Sequence, residues 1–217
     1  MTVRKTDTSN DNATGWRGSK EVWLDAARDA FVESGLDAVK IQPLANQLGL
    51  SRTSFYWFFK DRAALLDSLL RSWEDSNTGS LVAATEAYAE TITEAVLNLI
   101  GIFMDDGPFR PRFDLAVRGW AHQDEVVAAR VNAADEVRLD AIRQMFTGFG
   151  YDPGEADVRA RTVYLVQIGY ISLQVHEDMA TRLARLPDYV RTFTGHDPSA
   201  REMARFRANH IERQTLA

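Results

Sequence analysis

Cysteine is absent from the 217-residue sequence. Its absence excludes a disulfide framework, a thiolate metal site and a cysteine nucleophile. Long apolar runs are also missing, because the richest, at residues 95–104 and 162–175, fall short of the roughly 18 consecutive apolar residues that span a bilayer. An integral membrane protein is therefore not expected. Since the N-terminus also lacks an apolar secretion segment, we expect a cytoplasmic protein.

Histidine and recognisable catalytic motifs are scarce. The four histidines lie far apart, with no His-x-x-x-His or Glu-x-x-His pairing, so no metal site is expected. The sequence also lacks a G-x-S-x-G nucleophile elbow, an H-E-x-x-H motif, a P-loop and a G-x-G-x-x-G turn. These absences predict that the protein is not an enzyme and uses no cofactor.

The overall composition is that of a folded protein, with 45% apolar and 26% charged residues. Residues 1–18 differ, since they are mostly small and polar, with Trp16 as their single aromatic residue. Such a segment has too little apolar surface to offset the entropy of ordering, so we predict a disordered arm. Its basic residues Arg4, Lys5 and Arg17 could reach a DNA minor groove, although such tails are more often exposed to solvent.

Helical periodicity dominates the rest of the chain. Apolar residues recur at intervals of three and four from residue 19 onward, whereas sustained alternation of apolar and polar residues is nearly absent. We therefore predict an all-α fold, with a three-helix unit at residues 19–66 and a larger helical bundle at residues 67–217. After a first helix between Ser19 and Gly35, the predicted helices cover residues 41–48, 51–59, 60–73, 81–104, 109–121, 124–149, 154–184 and 199–213, with Pro187 as a break.

The second and third predicted helices, residues 41–48 and 51–59, are separated only by Gly49 and Leu50. Two residues are too few to join packed antiparallel helices, but they suit helices that cross steeply. Gly49 can adopt the left-handed conformation and Ser51 can cap the next helix. The spacing therefore predicts a helix-turn-helix.

The third predicted helix has two aromatic faces on a wheel of about 100° per residue. One face meets the core, whereas the other groups side chains that are costly to leave exposed unless something covers them. The second face suits DNA, since Arg donates to guanine, Thr contacts a thymine methyl group, and Tyr or Trp reaches phosphate and sugar. The inward residues are Phe55, Phe58 and Phe59, and the outward residues are Arg52, Thr53, Tyr56 and Trp57.

Charge is distributed unevenly along a chain whose net charge is −6. Residues 40–62 contain four basic residues and one acidic residue, whereas residues 76–217 contain 15 basic and 20 acidic residues. The basic patch is modest, so we expect weak DNA binding by a single unit and useful affinity only from two units held together.

Residues 35–66 resemble the DNA-binding region of the TetR family of bacterial transcription regulators. The resemblance rests on turn, cap, aromatic and basic positions whose spacing agrees: Gly35, Ala45, Gly49, Ser51, Tyr56, Phe59, Lys60, Leu65 and Leu66. It implies a homodimeric, ligand-responsive repressor that binds a pseudo-palindromic operator and is released when a small molecule enters the C-terminal bundle. The remainder of the chain is similar to the family in architecture only.

The resemblance also implies which side chains face DNA, with Lys60 on a phosphate at the start of the fourth helix. Two positions depart from the family pattern. Lys40 replaces the usual Ser or Thr cap of the second helix and offers a phosphate contact instead, and Thr53 replaces a usual Gly or Ala, which prevents borrowing of a known operator sequence. The predicted DNA-contacting set is Lys40, Ser51, Arg52, Thr53, Tyr56, Trp57 and Lys60.

The C-terminal bundle contains candidate contacts for a small-molecule effector. Aromatic residues at helical spacing can line a cavity but more often fill a core, and buried amides are more often satisfied by neighbouring groups. The candidates are Phe103, Phe109, Phe113, Trp120, Gln123, Phe149, Tyr164 and Gln167.

We predict the homodimer seam at residues 154–184 and 199–213, with packing inside one chain as the alternative. Small residues in the first segment would allow a second helix to approach closely, and apolar positions in the second would complete a four-helix seam. The residues that mark the seam are Ala160, Gly169 and Ser172 in the first segment and Met203, Phe206 and Ile211 in the second.

Two other functions stay open at this point. The aromatic helix could dock onto another protein, which would make the chain a helical adaptor, or, less favourably, the bundle could be an enzyme. Salt separates the first from DNA binding, because phosphate contacts weaken steeply with ionic strength whereas an apolar protein interface changes little.

Overall fold

The computed structural model describes residues 18–104 and 107–210. The described residues are helical without any strand, which confirms the all-α prediction. The predicted arm up to Arg17, including Trp16, and the seam residue Ile211 lie outside the described residues. The helices are α1 (Lys20–Ser34), α2 (Ile41–Leu48), α3 (Arg52–Phe55), α4 (Arg62–Trp73), α5 (Gly79–Glu86), α6 (Ile92–Gly101), α7 (Pro111–Ala121), α8 (Glu125–Gly148), α9 (Pro153–Ser172), α10 (Met179–Thr194) and α11 (Ala200–His210).

The chain divides into two compact units, and the boundary falls between Leu66 and Asp67. Among the described residues, every helix is too short or too polar to cross a membrane. The first unit is built on the apolar faces of α1 to α3 and the start of α4. Its fully buried side chains include Trp23, Leu44 and Phe55.

Side-chain caps start several helices where the sequence predicts them. The Ser19 hydroxyl accepts from the Val22 amide (3.4 Å), and the Asp124 carboxylate accepts from the Val126 amide (2.9 Å). Gly35 stops α1 at a φ of 79°, a conformation that side-chain-bearing residues rarely adopt.

The predicted helix at residues 81–104 is wrong, because the chain leaves the helical path at Ala87 and starts again at Ile92. The restart has a local cause. The Thr91 hydroxyl accepts from the Glu94 amide (3.2 Å), while the Glu94 carboxylate accepts from the Glu90 amide (2.9 Å). This reciprocal capping satisfies amide groups that a helix start leaves free, so two helices are stable where one was predicted.

The predicted helix at residues 154–184 is also wrong, since α9 ends at Ser172 and α10 begins at Met179. Gln174 in the connection has a φ of 48°, which takes the chain out of the right-handed helix. Asp178 then caps α10 through the Thr181 amide (2.7 Å). Pro187 does not end a helix, as it lies inside α10. The lost hydrogen bond there is outweighed by burial of apolar residues on both sides, such as Leu186 and Val190.

The second unit contains a continuous apolar core to which α6, α8, α9, α10 and α11 contribute. A buried ion cluster lies beside it. The Arg138 guanidinium on α8 and the Asp114 carboxylate on α7 are both fully buried and 3.0 Å apart. Asp114 also accepts from Arg118 (2.7 Å) and from the Trp73 indole (2.9 Å). Burial acts to raise the pKa of Asp114, but Arg138 and Arg118 outweigh it and hold that pKa below its usual range.

Candidate nucleic-acid interface

The turn between α2 and α3 is built from backbone geometry. Gly49 has φ and ψ of 64° and 26°, the left-handed conformation predicted for it. This conformation directs the amides of Gly49 and Leu50 back to α2, with Leu50 donating to the Ala45 carbonyl (2.9 Å). The helix therefore ends abruptly, and the chain is free to start α3 at a steep angle.

Two serines start α3. The Ser51 hydroxyl accepts from the Ser54 amide (3.2 Å), and the buried Ser54 hydroxyl donates to the Ser51 carbonyl (2.7 Å). The predicted Ser51 cap is therefore confirmed. Ser54 was not predicted to take part, although a second short hydroxyl three residues after a cap is a signal for such a bond.

The α-helical part of α3 is shorter than predicted, covering Arg52–Phe55 instead of residues 51–59. The backbone continues to turn beyond it through tighter bonds that span three residues. The Tyr56 amide donates to Thr53 (3.2 Å) and the Trp57 amide to Ser54 (3.3 Å). Because such 3₁₀-type bonds keep the chain turning in the same sense, the separation into two faces survives the shortening.

The inward face of this segment packs in the first unit. Phe55 is fully buried, with its ring edge-on to Trp23 and stacked with Phe59, both at 5.3 Å between ring centres. Phe58 is partly buried. The phenylalanine face therefore anchors α3 to α1, as aromatic packing against a core requires.

The outward face is exposed. Tyr56 exposes 47% and Trp57 65% of its surface, and Arg52 and Thr53 are also exposed. The Arg52 guanidinium donates to the Tyr56 hydroxyl (3.3 Å), so these two side chains lie side by side one helical turn apart. An exposed tyrosine and an exposed tryptophan next to an arginine are the surface expected of a nucleic-acid contact.

The predicted phosphate-binding lysines, Lys40 and Lys60, are both exposed. Lys40 precedes α2 without any side-chain cap bond, in agreement with the loss of the usual Ser or Thr cap. Arg62 is the fourth basic residue of the segment between residues 40 and 62. Its guanidinium donates to the carbonyls of Val39 (2.6 Å) and Leu36 (2.8 Å), which are too far away in sequence for any local pattern to reveal.

Comparison with known proteins agrees with this geometry. The family model described as bacterial regulatory proteins of the tetR family matches residues 24–69. Over 53 residues the chain is 38% identical to the class D tetracycline repressor of Escherichia coli, a match that spans about a quarter (24%) of each chain. A transcriptional repressor of the helix-turn-helix type from Mycobacterium tuberculosis is 28% identical over 183 residues, which cover 77% of this chain and 88% of that protein.

The first unit of this chain is therefore similar to the DNA-binding region of the tetR family of bacterial regulatory proteins. A solved transcriptional regulator from Rhodococcus shares its fold with a TM-score of 0.58 at 17% identity, covering 88% of this chain and 97% of that one. Salmonella enterica GusR gives a TM-score of 0.61 at 12% identity over 88% of this chain and 94% of its own. The fold similarity therefore extends through both units, well beyond the DNA-binding region.

The predicted effector contacts in the second unit do not come together at one site. Phe103 and Phe109 pack on each other at 4.5 Å between ring centres, and Phe113 is also buried. Gln123 is exposed, and Phe149 exposes 39% of its surface.

Of the remaining candidates, Trp120 is partly buried, and Tyr164 belongs to the ion cluster. The Tyr164 hydroxyl donates to Asp135 (2.6 Å) and accepts from Arg118 (3.0 Å). Burial raises the pKa of that hydroxyl above its usual value, so Tyr164 stays a neutral donor inside the cluster. Among the described residues, Gln167 is the one member of the predicted set that lines a cavity in the groove between α5 and α8 or in the space among α6, α9 and α10.

The described residues of the second unit line at least two cavities. One is an open groove of about 670 Å³ between α5 and α8, whose walls carry the basic residue Arg143 and the acidic residues Glu86, Glu136 and Asp140. The other is a small internal cavity of about 20 Å³ among α6, α9 and α10. We call the second one the α9–α10 cavity; its lining residues are Ile100, Met104, Gln167, Tyr170, Arg182, Leu186 and Tyr189.

Several residues named for the dimer seam face the inside of their own chain. Ala160, Met203 and Phe206 are all buried in the core of the second unit. Each of these side chains packs in the apolar core of its own chain, so it is not available to a second copy. The predicted seam is therefore wrong at these three residues, whereas Ser172 is exposed and a side chain added at Gly169 would meet nothing within 4 Å.

Proposed function

We propose that this protein is a homodimeric transcriptional repressor that binds a pseudo-palindromic operator through α3 and releases it when a small molecule binds the C-terminal bundle. The observation that carries the proposal is the exposed face of Arg52, Thr53, Tyr56 and Trp57 on a capped segment directly after a left-handed turn. A short helix presented in this way has the docking geometry of a recognition helix in the major groove. The match of residues 24–69 to the tetR family model supports the same function.

The proposed DNA contacts divide into two kinds. Arg52 and Thr53, in the first turn of α3, would contact base edges, because an arginine donates two bonds to guanine and a threonine methyl packs on thymine. Lys40 and Lys60 would contact phosphates and fix the register of the protein on the duplex. Tyr56 would hold the Arg52 guanidinium, as it does in the free protein at 3.3 Å.

Dimer formation is proposed through one face of α9. Val158 and Leu165 lie seven residues apart on the same side of the helix and expose 63% and 59% of their surfaces. Gly169 and Ser172 continue this stripe and would let a second helix approach closely. A two-fold axis through this face would present two copies of α3 to DNA, which the modest basic charge of a single copy requires.

Binding to the DNA upstream of the protein's own gene tests the proposal. We expect the double variant Arg52→Ala/Tyr56→Ala to bind that DNA about 100-fold more weakly, because a good base contact contributes about 1–3 kcal/mol in each half-site. Fluorescence anisotropy with labelled duplex measures the change. The matched control is Arg71→Ala, which removes an exposed arginine paired with Asp67 outside the proposed interface.

The same titration at increasing salt separates DNA binding from the adaptor alternative. Wild-type affinity should fall steeply with salt, with a slope that counts phosphate contacts, and Lys60→Ala should reduce that slope by about two, because it removes one contact in each half-site. Unchanged affinity in the double variant, or a loss equal to that of Arg71→Ala, would show that α3 is not the recognition element.

A further inference from the structure

We infer that the effector of this protein carries a carboxylate group, which the Arg182 guanidinium and the Gln167 amide bind in the α9–α10 cavity, with an apolar body against Ile100, Met104 and Leu186. The inference rests on the proposed function, since it names the chemical class of the ligand that the repressor would sense. It follows from two polar side chains that the cavity leaves without partners.

Gln167 is the first of these side chains. It exposes only 5% of its surface and lines the cavity, yet the described residues offer its amide no hydrogen-bond partner. The Gln167 amide is therefore free to donate to an acceptor that a bound molecule supplies at this point of the cavity.

Arg182 is the second. Its guanidinium lies over the Tyr170 ring at 5.0 Å, and among the described residues it has neither a salt-bridge partner nor a hydrogen-bond acceptor. Partial burial lowers the pKa of this arginine, because desolvation disfavours its charged form. The contrast with its neighbours is clear, since Arg185 and Arg191 on the same helix both form ion pairs.

The surrounding groups favour an anion with a single charge. The carboxylate that interacts with the Arg182 charge is that of Glu177, and it is paired with Arg185 outside the cavity. The hydroxyls of Tyr170 and Tyr189 are 3.0 Å apart and hydrogen bond to each other. Arg182 shares the charge of Glu177 with Arg185 and has no salt bridge of its own among the described residues, so its planar donors can bind the two oxygens of a carboxylate.

The remaining wall is apolar, formed by Ile100, Met104 and Leu186. A molecule that binds the polar side chains and also packs on the apolar wall is amphipathic, with an acid group at one end and a hydrocarbon or aromatic body at the other. A cavity of about 20 Å³ has room for about one water molecule. A larger ligand therefore requires the cavity to widen between α9 and α10, which are joined by the non-helical connection at residues 173–178.

Calorimetric titration of the full-length protein with octanoate, benzoate and phenylacetate, each against its primary amide, tests this inference. We expect at least one acid to bind about tenfold more tightly than its amide, because only the acid pairs with the guanidinium. Arg182→Met should abolish this preference by weakening the acid and leaving the amide unchanged. Arg191→Met is the matched control on the same helix, and the acid should bind to it as to the wild type.

Gln167→Leu provides a second variant in case Arg182→Met does not fold, which thermal unfolding would reveal; it should weaken the acid with the arginine still present. Inorganic phosphate forms a further arm and should not compete. The inference is overturned if no acid is preferred over its amide, or if the preference survives both substitutions. Operator binding is measured on the same samples, so a protein that binds DNA without any acid preference refutes the ligand class alone, whereas failure to bind DNA refutes the proposed function.

Discussion

Gly49 shows how a single residue decides the shape of the DNA-binding unit. Its φ of 64° lies in the left-handed region, and a side chain added there would meet no other atom within 4 Å. We therefore expect Gly49→Ala to lower the free energy of unfolding by about 1 kcal/mol through backbone strain alone. Urea denaturation monitored by circular dichroism measures the change.

Gly79 provides the opposite case for comparison. Its φ and ψ of −59° and −43° are helical, and a side chain added there would also meet nothing within 4 Å. Gly79→Ala should therefore raise the free energy of unfolding by about 0.5–1 kcal/mol. If the two substitutions shift stability in the same direction, backbone conformation is not what distinguishes these glycines.

At this scale the sequence predicted the recognition face well. The positions of Arg52, Tyr56 and Phe55 follow from helical periodicity, which depends only on the order of residues along a short segment. Arg62 could not be predicted, because its acceptors are the carbonyls of Val39 and Leu36, more than 20 residues earlier. Contacts of that kind are decided by tertiary packing.

Glu202 links two helix starts in the bundle. It is 6% exposed and accepts hydrogen bonds from Thr91 and from Thr93 (2.8 Å) at the start of α6, as well as from the Ser199 amide before α11. Burial opposes ionisation, but these hydrogen bonds, led by that of Thr91, lower the pKa of Glu202 from 4.5 to about 2. The charged form therefore stabilises the junction of α6 and α11.

The lowered pKa predicts a pH dependence of stability. Because the folded-state pKa lies below the unfolded value, the stabilisation is complete above pH 4.5 and is lost as pH falls toward 2. The shift corresponds to at most roughly 3 kcal/mol. Glu202→Gln should be destabilised by an amount of this order at pH 6, and its difference from wild type should shrink between pH 4.5 and 3.

Urea unfolding at a series of pH values measures this difference. Glu136→Gln, which changes an exposed glutamate on α8, is the matched control and should follow the wild-type curve. A constant difference between Glu202→Gln and wild type over this range would contradict the prediction, since it would mean that the ionisation of Glu202 is not linked to folding.

The element boundaries show which local signals the sequence contains. Thr91 and Glu94 form a recognisable capping pattern, so the break before α6 was predictable from sequence. The break after Ser172 was not, because the connection contains neither Gly nor Pro, and Gln174 takes the left-handed cap position that glycine usually fills, with the Val175 amide donating to the Tyr170 carbonyl (3.0 Å). Pro187 gave the opposite error, since packing of α10 on the bundle outweighs a propensity that alone favours a break.

For the whole molecule, fold class was predictable but the lining of the α9–α10 cavity was not. Aromatic residues at helical spacing fill cores and line cavities alike, so Phe103 and Tyr164 could not be distinguished from cavity residues by pattern. Of the residues that line the α9–α10 cavity, the prediction included Gln167 alone. Arg182, which also lines this cavity, is one of many arginines in the bundle and has no distinctive neighbours in sequence.

The proposed dimer leads to a prediction at the same scale. An isologous interface brings each residue of α9 near its own copy, so a charge introduced there is repelled by its equivalent as well as desolvated. Leu165→Asp should therefore convert the dimer to monomers at micromolar concentration, as measured by sedimentation equilibrium. Operator affinity should fall with it, because two recognition helices must be held about 34 Å apart to occupy successive major grooves.

Tyr88→Asp is the control for Leu165→Asp, because it places the same charge on a residue that is 88% exposed in the connection between α5 and α6. This variant should stay dimeric and bind operator normally. If Leu165→Asp also stays dimeric, then α9 is not the seam, and another exposed apolar stripe, such as that of Val126 and Val137 on α8, has to serve instead. If Leu165→Asp is monomeric yet binds operator with full affinity, pairing of two recognition helices is not what gives this protein its affinity, and the basic charge of one unit is sufficient.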